Sequence, residues 1–96
     1  MIPILEWDQR KATPNVRKHG VTFDEAASVF LDQFGLCTVD PDDIAGEERF
    51  VLLGMSGRLR LITVCFCERR RASVLRLISA RKATRSEARM YGERLK

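Results

Sequence analysis

The sequence predicts one α+β domain over residues 1–96, with elements in the order β-α-α-β-β-β-β-α and a mostly antiparallel sheet. Three observations carry this. Strand-length runs at Arg49–Met55, Arg58–Glu68 and Ser73–Ala80 follow one another across short turns, the pattern of a meander. Two T-x-x-E boxes, Thr22–Glu25 and Thr84–Glu87, announce helix starts. A hydrophobic content of 45% with 31% charged residues suits an ordinary globular core.

Each element has its own signal. Residues 2–7 read as a short first strand, with Pro3 suited to an edge and Trp7 near the core. Asp8 caps the helical segment that follows. Pro14 would remove a hydrogen bond inside that helix, so a break is expected, with Thr13 as a second N-cap and Pro14 at the first helical position. Gly20 then ends the helix. The box at Thr22 opens a helix from Phe23 to about Leu31, whose Ala26, Ala27, Val29 and Phe30 share an apolar stripe. Leu36–Val39 is a second strand, and Asp40 to Gly46 an acidic, turn-rich, solvated loop. Ser56-Gly57 is a tight turn between the first two strands of the meander. Leu61 to Cys67 is apolar or small on both faces and should be central. Arg69 to Ala72 forms the next turn. The last strand runs into Arg81, Lys82 and the box at Thr84, which opens a helix from Arg85 to about Leu95.

Composition narrows the function. The longest apolar run is far shorter than the ~20 residues that span a bilayer, and the first residues do not resemble a signal peptide, so a cytoplasmic protein without membrane contact is expected. Three cysteines and one histidine are too few for a disulfide scaffold or a tetrahedral zinc site, and the acidic loop lacks a calcium-loop pattern. No metal and no cofactor are expected. Charge is distributed unevenly: residues 1–48 carry a net −6 and residues 49–96 a net +10. The second half therefore suits an acidic partner, nucleic acid or an acidic protein segment.

The chemistry-bearing inventory is cationic: Arg49, Arg58, Arg60, Arg76, Arg81, Lys82 and Arg85, with Glu68, His19 and Tyr91 as possible proton carriers. Metal-free RNA cleavage needs a base for the 2′-hydroxyl, a proton for the leaving 5′-oxygen, and fixed positive charge for the transition state. An arginine fork suits the last task. On residue chemistry alone, a small basic β-rich domain binds nucleic acid more often than it cuts it. A regular pleat places Arg76 and Arg81 on opposite faces, so their convergence needs a bulge or the strand's end.

The chain resembles the BrnT toxins of bacterial type II toxin–antitoxin systems. The matching segments are Glu6-Trp7-Asp8, Asn15 to Val21 with Phe23 and Glu25, Glu47-Glu48-Arg49, Glu68-Arg69, and Ile78 to Thr84 with Glu87 and Tyr91. The resemblance implies a RelE-like fold and a ribonuclease that inhibits translation. It further implies neutralisation by a BrnA-like antitoxin with a ribbon-helix-helix DNA-binding part, the complex reaching operator DNA and repressing its own operon. Under that resemblance, Arg76 and Arg81 hold the scissile phosphate, and Glu68 or His19 acts as base. Lys82 supports RNA binding, with Arg49, Arg58, Arg85 and Tyr91 as further RNA contacts. The alternatives are a non-catalytic nucleic-acid-binding module and an antitoxin-binding domain without nuclease activity.

Overall fold

Leu61–Arg69, strand β4, is the strand around which the sheet is built, because its apolar middle leaves no polar face for water. In the computed structural model, which describes residues 4–40, 48–69 and 73–96, it lies at the centre of a five-stranded sheet. The acidic turn after Asp40, the arginine turn after Arg69, and Pro3 lie outside the described residues. The elements are β1 Ile4–Glu6, α1 Gln9–His19, α2 Phe23–Val29, β2 Leu36–Val39, β3 Arg49–Met55, β4, β5 Val74–Lys82 and α3 Arg85–Arg94. Their order is the β-α-α-β-β-β-β-α expected from the sequence. In space the strands run β1-β5-β4-β3-β2. All neighbours are antiparallel except β1, which pairs parallel to β5 from Ile4↔Val74 to Glu6↔Arg76.

Helix α2 covers one face of the sheet. Its Phe23, Ala26 and Val29, with Val21 before it, pack on Leu52, Ile62, Val64, Phe66, Leu77 and Ala80. Phe30 meets Phe66 edge to face at 5.1 Å, and Trp7 meets Phe23 at 6.0 Å. Phe23 is only 2% exposed, so truncation to alanine should cost about 3–5 kcal/mol. Gly54 admits the helix: a Cβ there would stand 2.9 Å from Val29 Cγ1.

The second helix begins at Thr22, whose hydroxyl accepts from the Glu25 amide at 3.0 Å. Only this half of the expected box forms. The Glu25 carboxylate turns away to a bidentate pair with Arg60 and accepts the Ser56 hydroxyl at 2.7 Å. Arg60 holds the carboxyl below its ordinary range, which is how a glutamate only 6% exposed is accommodated. Tertiary pairing with a buried charge outweighs a local cap. The turn that supplies Ser56 also differs from expectation. It is longer than a two-residue Ser56-Gly57 turn, closing through Leu59 N–H to the Ser56 carbonyl with Leu59 left-handed (φ 61°).

The break expected at Pro14 does not occur: α1 is one helix with Pro14 inside it. Pro14 is exposed, so the Arg10 carbonyl deprived of its partner faces water. What holds the helix across the defect is Asn15. Its side-chain amide donates to the Val21 and Ala80 carbonyls at 2.9 Å each, and its carbonyl accepts from the Ala80 amide at 3.1 Å. Asn15 thus pairs with β5 as a missing strand would, just beyond the point where β1 ends. Gly20 (φ 70°) closes the helix as expected.

Candidate active site

The last strand is regular against β4 from Lys82 to Ser79, and again from Leu77 to Val74, but Ile78 is an extra residue between them. One inserted residue reverses the parity of the pleat. Arg81 pairs with Thr63 and Arg76 with Cys67, and Arg49 of β3 also pairs with Cys67. Thr63, Cys65 and Cys67 alternate along one face of β4, so the bulge brings Arg76 and Arg81 to one face, the face on which the regular β3–β4 register places Arg49. This face lies opposite α2.

Helix α3 encloses one end of that face. Its capping box is complete: the Thr84 hydroxyl accepts from the Glu87 amide at 3.1 Å, and the Glu87 carboxylate accepts from the Thr84 amide at 2.8 Å. The same carboxylate takes both Arg81 Nη atoms, at 2.7 and 3.0 Å. Arg81 holds the Glu87 carboxyl down at about 2. Two donors of the Arg81 fork remain beyond those two bonds and the one to the Lys82 carbonyl. Further along α3, the buried Tyr91 hydroxyl donates to Asp32 at 2.6 Å, which pushes Tyr91 up to about 12.

Between these elements lies a groove of about 340 Å³, lined by Asp40, Arg49, Val51, Thr63, Cys65, Ile78, Ser79 and Arg81. Two polar atoms in it are buried without a hydrogen-bond partner among the described residues: Arg49 Nε and the Thr63 hydroxyl. The hydroxyl nonetheless faces Glu87 closely enough to help lower that carboxyl. Burial and the Asp40 carboxylate, 3.6 Å from the thiol, push Cys65 up to about 11, so it is a neutral thiol.

Arg49 and Arg81 therefore share the groove. Arg76 lies on the same face by register but is engaged by Glu6, whose Oε2 accepts its Nε at 2.7 Å. Glu68 and Lys82 have the opposite parity on their strands, and Glu68 lies near enough to Cys37 to raise that thiol. His19 lines a separate hollow against α1. Arg58 sits at the β3–β4 turn, 3.9 Å from Glu25. Arg85 is exposed at the start of α3, and Tyr91 is buried beneath it. Asp40, Thr63 and Ser79 are groove residues that sequence reasoning missed. Asp40 reads as part of an acidic loop, and only strand parity relative to Arg81 would single out the other two.

The structure is thus an α+β domain in which a helix backs one face of a mostly antiparallel sheet and the opposite face carries an arginine-lined groove. The chain is similar to the crystal structure of the Brucella abortus ribonuclease toxin BrnT, with a TM-score of 0.62 and 28% identity over 88% of this chain and 100% of that one. The sequence model of the ribonuclease toxin BrnT of type II toxin–antitoxin systems matches residues 7–87, and the chain belongs to that family. Comparison with curated protein sequences returns no match.

Proposed function

We propose that this chain is an endoribonuclease that cuts RNA in the Arg49–Arg81 groove without a metal ion and thereby inhibits translation. The observation that carries the proposal is the buried Arg49 Nε, without a hydrogen-bond partner among the described residues, beside a guanidinium with donors to spare. A buried unmade hydrogen bond costs about 1–3 kcal/mol. A phosphate oxygen in the groove would recover that cost at Arg49. Membership of a ribonuclease toxin family supports the same reading.

The chemistry follows from the groove's contents. Among the described residues Asp40 is the carboxylate that lines it, and it takes the proton of the 2′-hydroxyl. The 2′-oxygen bonds to phosphorus, the P–O5′ bond breaks, and water entering the open groove protonates the leaving oxygen. Arg49 and Arg81 neutralise the charge that accumulates on the phosphoryl oxygens, so the positive charge a metal would bring is supplied by side chains. Glu87 is a positioning residue that fixes the Arg81 fork. Arg76, held by Glu6 through Nε and Nη2, is not part of the groove lining, and in this proposal His19 and Glu68 also stand outside it.

The family implies an antitoxin partner. In this proposal it is a BrnA-like protein that covers the arginines and, through a ribbon-helix-helix part, carries the complex to operator DNA. The test is expression from a tightly repressed promoter, with total RNA run on a gel, for the wild type beside Arg49→Ala and Arg81→Ala. Each variant should lose roughly 10²–10³-fold in cleavage of purified RNA; Arg49→Ala should keep its thermal midpoint within a few degrees, and Arg81→Ala, which also breaks the pair with Glu87, should remain folded with a midpoint about 5–10 °C lower. Equal cleavage by all three proteins would remove the groove from the reaction.

A further inference from the structure

We infer that single-stranded RNA leaving the groove continues over the β5 bulge into a second hollow against α1, where Lys11 and Lys18 contact its phosphates. The inference rests on the RNA reading of the groove and goes beyond it by assigning a site for flanking nucleotides. The hollow, about 280 Å³, is lined on the helix side by Lys11, Pro14, Lys18 and His19. Its other wall is Ile78 and Ser79, the same two residues that line the groove. The two depressions therefore share a floor at the bulge.

The topology explains why the path is open. The first strand covers the edge of β5 only as far as Arg76. Asn15 occupies the edge again at Ala80. The bulge lies between these two covers, so among the described residues no neighbouring strand blocks the way from the sheet face to the helix.

The chemistry of the hollow suits a nucleic-acid backbone. Lys11, Pro14 and Lys18 fall at i, i+3 and i+7, one stripe of the helix, and the two lysines lie roughly 10 Å apart along its axis. Among the described residues no carboxylate lines the hollow. Arg10 also borders it, but its guanidinium is held by Asp8 at 3.1 Å. Lys11 and Lys18 form no ion pair among the described residues. Pro14 and Ile78 give an apolar surface on which a base or ribose can rest, and Ser79 and His19 offer hydrogen bonds. An acidic peptide would find the cations but would have no reason to follow the shared floor into the groove.

The experiment is fluorescence anisotropy with a 2′-O-methylated 12-nucleotide single strand, which cannot be cut by 2′-oxygen attack, between about 50 and 300 mM salt. The proteins are the wild type, Arg81→Ala, Lys11→Ala/Lys18→Ala and Lys11→Arg/Lys18→Arg. Loss of two phosphate contacts should reduce the slope of log K against log salt by about 1.4, and affinity roughly tenfold near 0.1 M. The arginine pair should restore the slope, which a merely structural role for the lysines would not require. An alanine pair that binds with the wild-type slope, while Arg81→Ala binds weakly, overturns the α1 path and leaves the groove reading intact. The same overturning result with loss of an acidic antitoxin peptide would make α1 a protein contact. A wild type that binds no 12-mer overturns the RNA reading itself, and the inference with it.

Discussion

Glu87→Gln should leave the helix cap in place and uncouple it from Arg81. Glutamine at this position still satisfies a capping box, so the variant removes a charge and little shape. In the folded protein the Glu87 carboxyl lies at about 2 against an ordinary 4.5. Fully expressed, that difference is about 3.4 kcal/mol. Arg81 is 42% exposed, and screening by water reduces the contribution to about 1–2 kcal/mol. The folded value is the lower one, so the contribution is complete above pH 4.5 and disappears as pH falls toward 2. The assay is thermal unfolding of both proteins from pH 2 to 7. At pH 7 the variant should melt about 5–10 °C lower, and the two curves should converge between pH 4.5 and 2. A constant offset across that window would refute the assignment of the ion pair. A further consequence is that RNA should bind the variant more tightly at low salt, because the groove loses its counter-charge.

Three further perturbations test other parts of the account. Asn15→Leu leaves the Ala80 amide and carbonyl and the Val21 carbonyl without their partner. It should cost about 2–4 kcal/mol in a urea titration with little change in slope. Leu59→Gly relieves a left-handed leucine that is 83% exposed. It should stabilise by up to about 1 kcal/mol, and a loss of stability would contradict the turn geometry. Tyr91 is the chain's one tyrosine, so its phenolate absorbance should appear only near pH 12. Its raised value means that its stabilisation holds below pH 10 and is lost as pH rises toward 12. Titration near 10 with the fold intact would show that the Asp32 bond is not formed.

Much of the fold was legible because it is local. The caps at Thr22 and Thr84, the stop at Gly20 and the strands at 36–39 and 49–55 are set by residues within one turn or one pleat of each other. The central place of β4 was legible for a related reason: a run apolar on both faces can be stable only where both faces are covered. Pro14 shows the limit of that logic. Its local cost was read correctly, but Asn15 binds Ala80, 65 residues away, and a contact at that separation leaves no signature nearby. Glu25 makes the same point, because its choice of Arg60 over its own helix start depends on where the β3–β4 turn comes to rest.

The site divides along the same line. Sequence alone determined that the second half is strongly cationic and that Arg81 precedes a capped helix. Only the tertiary structure decided which cations lie together. The parity of a strand depends on every residue being paired, and the unpaired Ile78 reverses it, so Arg76 and Arg81 come to one face while Lys82 faces the other way. Packing then selects among them: Glu6 engages Arg76, Glu87 orients Arg81, and Arg49 is left with a buried donor facing the groove. A bulge is a choice between neighbouring strand registers. Its energy comes from the core on the far face, where Leu77 and Ala80 are both buried, and no short window of sequence contains that core.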